Sequence, residues 1–570
     1  MLARIAPGLA AILASSRGSL LADARAGLAV AAVSIPTAIA YSGLMGVPAE
    51  AGLHTAILPL VVYALFGQAP RLIVGPDTAT CVLIGGSLTA LGVVDPTVRL
   101  GFAGVLAILA GLFCIGAGLL RLGAMADFLA WPILVGFLNG VALDLMLGQL
   151  PRMAGLPAPP SEPLLRLIAL VQALPGVHWP TAILSWSALA LVLVLRRTAP
   201  QLPGALLACI AAGAAALLLD LPAKGVAVLG PIPSELPGFA LPAVEWAPLL
   251  ARRYELLQHA AGIALISFTS FMVSARAFAA RRGETTDADR EAVVLGLANI
   301  TGGLAKGFAV SGTSSRTAMN EAQGATSPVA SLVAAGALAA SMGLLAAPMA
   351  WLPRGVMAAL MLQAALSLLD LSGLRALWRI DRGEAGLSLI ATLGVLAVGP
   401  LNAVLVSVGL AIMRFVRITA RPIADELGRL PGTPGFHSRR HYPEVRTEPG
   451  MVFFRFNGPI VFFNAPSFQR AALAAVDAAG PGLEWFVLDL FPITQVDATG
   501  LETLRQVGRQ LAARGVRLVG AGRRTEARQW LSLYDVAPDT VLFFPTMNAA
   551  RHAFRAERKA RQADEGSAGR

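Results

Sequence analysis

From residue 24 to about Val416 the chain runs as long apolar stretches broken by short polar ones. A helix needs about 20 apolar residues to cross the hydrocarbon core of a bilayer. Residues 100–120, 181–195, 203–219, 256–275 and 384–398 read as uninterrupted spans. The stretch 24–44 is interrupted by Pro36, and 70–92 opens on Gly75-Pro76-Asp77. The pattern predicts roughly a dozen to fourteen crossings. Beyond Val416 the spacing of apolar positions becomes that of an ordinary soluble domain.

One segment breaks the apolar pattern. Residues 306–327, KGFAVSGTSSRTAMNEAQGATS, are rich in Gly, Ser and Thr and carry Arg316 and Glu321, yet lie between the apolar runs Val293–Leu304 and Val329–Leu345. Its core, 309–322, is too short and too polar to span alone. Residues 71–92, RLIVGPDTATCVLIGG onward, share its plan: an extended apolar piece, a turn residue (Gly75-Pro76 or Gly312), then a hydroxyl-rich helix start. Short, Gly/Pro-interrupted segments in corresponding halves of a chain point to a transporter's binding site. Irregular backbone at membrane depth survives only where it is buried in protein or lines a cavity. A helix start there offers unpaired N–H groups and the positive end of the helix dipole, which suits an anion. Two such starts facing each other would make one anion site. Thr313, Ser314 and Ser315 would supply caps and donors, and Arg316 positive potential. Arg at a helix centre costs about 2.5–3.5 kcal/mol on insertion scales, so Arg316 is expected to face a cavity or a partner.

Composition agrees with a membrane protein. Of 570 residues 56% are hydrophobic and 14% charged, with a mean hydropathy of +0.67; soluble domains run nearer a quarter charged. The net charge of +11 does not point to nucleic acid, because Arg196-Arg197, Arg281-Arg282 and Arg375–Arg382 flank apolar runs. They read as loop arginines that hold the cytoplasmic side. With both termini inside, Arg121 and Arg414–Arg421 agree with that orientation, whereas Arg252-Arg253 and Arg354 fall on the other side; the loop at 230–242 would face outside. Cys81, Cys114 and Cys209 lie within apolar runs as packing residues. The six His lack ligand spacing, so neither a metal site nor a cofactor is expected, and the N-terminus carries no convincing cleavage site for a removable signal peptide.

The stretches AGLAVAAVSIPTAIAYSGLMGVPAEAGLHTA (26–56), YALFGQAPRLIVGPDTATC (63–81), VLGPIPSELPGF (228–239) and LGLANITGGLAKGFAVSGTSSRTAMNEAQGAT (295–326) resemble the SulP anion permease family. The resemblance implies a polytopic α-helical membrane protein of about fourteen segments in two inverted repeats of seven, divided into core and gate. It implies an anion held between the half-helices of segments three and ten, lined also by segments one and eight. Carried onto this chain, the site comprises Pro76, Asp77, Thr78, Thr313, Ser314, Ser315 and Arg316, with Tyr41 and Ser270. Two positions depart from the family. Ser270 stands where members commonly carry a carboxylate used in cation coupling, and Ala309 where the family usually has Pro. Asp77 is then the acid nearest the site, either a helix cap or a protonatable group whose charge state answers to the anion beside it.

Beyond the spans, MVFFRFNGPIVFF (451–463) reads as two strands around an Asn457-Gly458 hairpin. A helix near Ala465–Ala479, a strand at 485–491, an amphipathic helix within 494–515, a strand at 516–522 and a helix near Glu526–Leu533 follow. Strands alternating with helices imply a compact α/β domain of about 110 residues, and the order with its VDATG turn resembles a STAS domain. In relatives that turn can be phosphorylated on a hydroxyl; here Thr499 is the regulatory candidate, though a helix cap is the stronger reading. The basic stretch 551–562 reads as a solvated helix end, with contact to anionic lipid headgroups as the alternative.

The expected organisation is a transmembrane domain over 1–422, a linker over 423–448, a STAS domain over 449–556 and a basic disordered tail over 557–570. The expected function is secondary active transport of small inorganic anions, sulfate first and bicarbonate next, by alternating access. An uncoupled exchanger or channel, or a C4-dicarboxylate transporter, is the alternative. The chain shows no Walker-type loop, catalytic carboxylate pair or nucleophile triad, so no enzyme is expected. Expected partners are the anion, the bilayer, a second copy of the chain, and a cytoplasmic protein at the STAS domain; the expected location is the inner (plasma) membrane, multi-pass, with both termini cytoplasmic.

Overall fold

The computed structural model describes residues 6–522 and 542–568, apart from residues 16, 124–130, 158–167, 170, 200–201, 232, 281–282 and 284. The chain separates into two compact units, Met1–Ala411 and Ile412–Arg570.

The first unit is helical. Its elements are α1 (Pro7–Leu13), α2 (Arg17–Met45), α3 (Ala49–Phe66), strand β1 (Val74–Gly75), α4 (Thr78–Ala90), α5 (Pro96–Leu119), α6 (Trp131–Met153), α7 (Trp179–Thr198), α8 (Gly204–Leu218), α9 (Trp246–Ala251) and α10 (Arg253–Ala280). There follow α11 (Ala288–Leu304), strand β2 (Ser311–Gly312), α12 (Ser314–Ala322), α13 (Val329–Leu344), α14 (Ala346–Ala350), α15 (Arg354–Leu368), α16 (Leu371–Ile380) and α17 (Arg382–Val398). Helix α18 (Pro400–Thr419) carries the chain into the second unit. Among the described residues seven helices are long and apolar enough to cross a membrane; the seventh, Arg354–Ile380, joins α15 and α16 across a break at Leu369-Asp370. Helices α4, α8 and α13 are shorter apolar ones. Pro36 does not interrupt α2, which runs continuously through it.

Two packing groups account for these helices: α2–α5 with α10–α13, and α6–α8 with α15–α17. Without a hydrophobic drive between helices in lipid, close packing needs small residues where backbones meet. The α5–α11 crossing is built that way. A Cβ added at Gly111 would lie 2.6 Å from the Gly296 carbonyl oxygen, and one at Gly303 would lie 2.5 Å from that of Gly104. In the other group Gly136 and Gly140 of α6 meet Ser388 and Thr392 of α17, and the Thr392 hydroxyl donates to the Gly136 carbonyl at 2.9 Å.

The second unit is a six-stranded sheet in the order β4-β3-β5-β6-β7-β8 with helices packed on it. Its strands are β3 (Ala424–Gly428), β4 (His437–Ser438), β5 (Met451–Phe456), β6 (Trp485–Asp489), β7 (Arg517–Ala521) and β8 (Leu542–Phe544); its helices are α19 (Ala465–Ala479), α20 (Ala498–Ala513) and α21 (Met547–Ala568). Strands β5 to β8 run parallel, and β3 pairs antiparallel with β5. Four expectations differ from this. The stretch read as a linker contributes β3 to the sheet. Asn457-Gly458 does not turn a hairpin, because residues after Pro459 fold around Asn464: its side chain accepts from the Val461 amide and donates to the Pro459 carbonyl, both at 2.9 Å. The cap of α20 is Asp497, whose carboxylate accepts from the Gly500 amide at 2.7 Å, so Thr499 does not cap and is exposed. The tail read as disordered belongs to α21 as far as Ala568. The helix expected near Glu526–Leu533 lies outside the described residues.

Helix α21 spends its basic residues within its own unit. Arg551 and Arg555 both donate to Glu448 at 2.7 Å, Arg558 donates to the Pro449 carbonyl at 3.1 Å, and Arg561 pairs with Glu484 at 3.2 Å. Burial raises the Glu448 carboxyl, but the two guanidiniums outweigh it and hold the group below the ordinary carboxylate range.

Candidate anion site

Extended arms lead into the two half-helices, and they meet. Val74 pairs with Gly312 and Gly75 with Ser311 in an antiparallel ladder of two residues per strand, all of them buried. So short a ladder leaves most of the arms' backbone groups without strand partners, and at membrane depth each must find another. Side chains provide them. The Ile73 amide donates to Thr317 Oγ1 at 3.0 Å, and the Ile73 carbonyl accepts from both the amide and the hydroxyl of Thr313 at 2.9 Å. Asn320 donates to the Arg71 carbonyl at 2.8 Å. On the other arm the Phe308 amide donates to Thr55 Oγ1 at 3.0 Å and the Val310 amide to Asn299 Oδ1 at 2.7 Å. The Val310 carbonyl accepts from the Ser267 hydroxyl at 2.6 Å, and the Ser311 hydroxyl donates to the Ser267 carbonyl at 2.7 Å. Gly312 lacks a side chain because a Cβ there would come within 3.1 Å of Phe271 Cα in α10.

Two helix N-termini follow directly. Asp77 takes the N-cap position of α4 with extended backbone (φ −123°, ψ 145°). Its carboxylate lies beside the amides of Thr78, Ala79 and Thr80 without the geometry of a cap bond. It accepts from the Ser270 hydroxyl at 3.5 Å, the outer limit of a hydrogen bond. Thr78, buried, bonds through its hydroxyl to Tyr41 of α2 at 2.8 Å. At α12, Thr313 has the N-cap position, but its hydroxyl is turned to Ile73 and does not cap. Ser314 and Ser315 are exposed, and the Ser314 hydroxyl bonds to Ser274 of α10 at 2.6 Å. The first N–H groups of each helix lack intrahelical partners and end the helix dipole with partial positive charge.

Arg316 is only 4% exposed. Its guanidinium donates to the Pro76 carbonyl and covers Gly75, where a Cβ would sit 2.8 Å from Nη1. Arg316 therefore faces a partner and not lipid, and it ties α12 to the turn that opens α4. All nine sequence-named residues fall in the first unit around the paired arms: Pro76, Asp77, Thr78 and Tyr41 on one side, Thr313, Ser314, Ser315 and Arg316 on the other, with Ser270 reaching Asp77 from α10. The sequence reading missed the braces Thr55, Ser267, Asn299, Thr317 and Asn320. They are buried polar residues in or beside apolar helices, a signal of function or of an internal partner in a membrane segment. Among the described residues no group of His, Cys, Asp and Glu could hold a metal ion.

The sequence profile of the sulfate permease family matches residues 20–391, and that of the STAS domain residues 442–550. Over 553 residues the chain is 38% identical to "Probable sulfate transporter Rv1739c" of Mycobacterium tuberculosis, covering 96% of this chain and 98% of that protein. It is 29% identical over 521 residues to "Probable sulfate transporter 4.2" of Arabidopsis thaliana, covering 87% and 75%. Its fold matches the solved structure of SLC26A9 with a TM-score of 0.88 at 20% identity, over 98% of this chain and 94% of that one. Paired half-helices in a multi-pass helical unit, joined to a STAS domain and matched along almost the whole chain, leave one assignment: this protein belongs to the sulfate permease family, whose members are membrane anion transporters and not enzymes.

Proposed function

We propose that the chain is a secondary active transporter of a small inorganic anion, sulfate first and bicarbonate next, that holds its substrate between the N-termini of α4 and α12. The observation that carries this reading is the two-residue ladder between the arms, which joins the two segments of the membrane unit just before their helix starts. Backbone amides at those starts, with the exposed hydroxyls of Ser314 and Ser315, are the binding groups. Thr313 and Arg316 hold the two starts in register, while Tyr41 holds Thr78 of α4 to α2. The α2–α5/α10–α13 group acts as the core that carries the anion and the α6–α8/α15–α17 group as the gate, in alternating access. The transport domain runs to about residue 422, both termini face the cytoplasm of a plasma (inner) membrane, and two copies associate. The STAS unit is the place for a cytoplasmic protein partner, with Thr499 as an exposed hydroxyl open to phosphorylation.

Ser270 favours one second reading. Its hydroxyl brings no charge where the family commonly has a carboxylate, so an uncoupled exchanger is the alternative. Uptake by the purified chain in liposomes, across labelled sulfate, bicarbonate and C4-dicarboxylates with and without proton and sodium gradients, tests both. Gradient-driven sulfate accumulation supports the transporter, exchange without accumulation supports the alternative, and no saturable anion flux defeats both.

A further inference from the structure

The apolar stretch Arg354–Ile380 is broken at Leu369-Asp370, and its second part, α16 (Leu371–Ile380), is a short amphipathic helix set between the apolar helices α15 and α17. At about 100° per residue its side chains fall into three strips. Gly373 and Leu377 are buried, and Leu377 clusters with Val135 of α6 and Ala385 of α17. Next to that strip Leu371 and Trp378, two turns apart, are 53% and 54% exposed. Beyond them lie Arg375 and Arg379, both exposed. The start of the helix is pinned. Asp370 accepts from the Gly373 amide and the Ser372 hydroxyl at 2.7 Å, while Asn139 of α6 accepts from the Asp370 amide at 2.7 Å and donates to its carbonyl at 3.3 Å. The strips are therefore presented at a fixed angle.

The charges on this helix are unspent. Among the described residues no hydrogen bond or ion pair engages the guanidinium of Arg375 or Arg379. The arginines of α21 do the opposite, pairing with Glu448 and Glu484 of their own unit. An apolar strip that ends in an indole, bordered by two free guanidiniums, has the chemistry of a membrane interface. The indole sits at headgroup level, the leucine enters the acyl boundary, and guanidinium forks fit phosphate oxygens bidentately. A topology anchor needs only positive charge; it does not need the aromatic strip or the pinned cap.

We propose that α16 is an interfacial helix that binds an anionic phospholipid headgroup, with Leu371 seated in the acyl boundary, Trp378 at headgroup level and Arg375 and Arg379 on the phosphate. The test uses the full chain purified in neutral detergent, at fixed buffer anion composition, with phosphatidylglycerol or phosphatidylcholine added. Retained lipid is counted by native mass spectrometry, and thermal midpoints are followed as lipid is titrated. The expected result is that phosphatidylglycerol binds and raises the midpoint while phosphatidylcholine does not. In Arg375→Gln/Arg379→Gln the apparent affinity for phosphatidylglycerol should fall on the order of tenfold to thirtyfold. In Arg375→Lys/Arg379→Lys, which keeps the charge and loses the fork, it should fall less, and Trp378→Ala should weaken binding without changing the preference for anionic lipid. Equal stabilisation of the parent by both lipids, or unchanged phosphatidylglycerol binding in the Gln pair, would overturn the proposal. So would a Trp378→Ala variant that dissociates into single chains with its lipid preference and affinity intact, since a second copy of the chain would then cover this strip.

Discussion

Helix α4 begins behind Gly75-Pro76 with Asp77 at its N-cap position, and α12 begins behind Ser311-Gly312 with Thr313 in the same place. The two starts share a ladder, yet their side chains are employed differently. From α12 and its cap, Thr313, Arg316, Thr317 and Asn320 all reach across to the backbone of residues 71–76. From α4 the polar side chains turn to the neighbouring helices instead, Thr78 to Tyr41 and Asp77 to Ser270. Helix α12 is thus the brace and α4 the braced limb. The lesson concerns Arg316. Its guanidinium puts a buried positive charge between the two helix starts and also holds a backbone carbonyl, so its loss acts on geometry and charge together.

Breaking the brace should have the largest effect. Arg316→Ala leaves the Pro76 carbonyl buried without its donor and removes the charge. Hydrogen bonds to charged groups contribute about 1.5–3 kcal/mol, so sulfate uptake in proteoliposomes should fall by roughly tenfold to a hundredfold at normal membrane insertion. Arg316→Lys should recover part of it, since the charge returns without the fork. Parent-like kinetics in the Ala variant would remove Arg316 from both roles. Gly75→Ala tests the geometry alone. The new methyl would crowd Arg316 Nη1, which ends a flexible side chain and moves aside. Uptake should drop several-fold, on the order of 1 kcal/mol, with little change in the thermal midpoint; an unfolded protein would show that the arms have no such slack.

The contrast also explains what sequence reading reaches. The two broken segments were legible because Gly, Pro and hydroxyls stand out at membrane depth, and Arg316 because a buried charge demands a partner. The identity of the partner was not legible: Pro76 is 240 residues away along the chain, and only the ladder makes them neighbours. Thr313 shows the same limit. Its N-cap position was visible, but its hydroxyl is turned to donate to the Ile73 carbonyl and accepts from no helix amide. The braces Ser267 and Asn299 were overlooked because an isolated polar residue in an apolar helix does not declare which backbone it serves. In the second unit the alternation of strand and helix was legible from α19 to β7. Asn457-Gly458 misled, because local turn propensity lost to the side-chain bonds of Asn464. Strand β3 was missed because its pairing with β5 is fixed by tertiary contact and not by its own pattern.

The charge of the braced limb gives a smaller and more selective effect. Asp77 is the carboxyl nearest the paired helix starts, and Ser270 beside it is neutral. A hard cation prefers a carboxylate among its oxygen ligands, so uptake should not depend on sodium. Asp77→Asn keeps the shape and removes the titratable group. Uptake that rises as the outside is acidified in the parent should become flat with pH in the variant, while exchange at equal pH stays within about twofold, as for changes that leave binding contacts in place. Sodium-stimulated uptake in the parent would mean that Asp77, with the hydroxyls and carbonyls around it, suffices for a cation without an acid at Ser270. A pH profile that Asp77→Asn leaves unaltered would return Asp77 to helix capping.

The smallest effects should separate the limbs most cleanly, because each comes from one neutral hydroxyl. Tyr41→Phe removes the 2.8 Å bond to Thr78 on the braced limb, and Ser274→Ala removes the 2.6 Å bond to Ser314 on the brace together with a weak 3.5 Å bond to the Gly312 carbonyl. A neutral hydrogen bond is worth about 0.5–1.5 kcal/mol net, so neither should cost more than roughly tenfold. They differ in what remains behind. Thr78 is buried and loses its hydroxyl partner, whereas Ser314 is exposed and regains one from water. Tyr41→Phe should therefore lower the maximal rate and the thermal midpoint together, with the larger total loss. Ser274→Ala frees the Ser314 hydroxyl for the anion, so it should leave stability unchanged and shift mainly KM. The reverse pattern, with Ser274→Ala destabilising and Tyr41→Phe acting on KM alone, would exchange the parts assigned to α4 and α12.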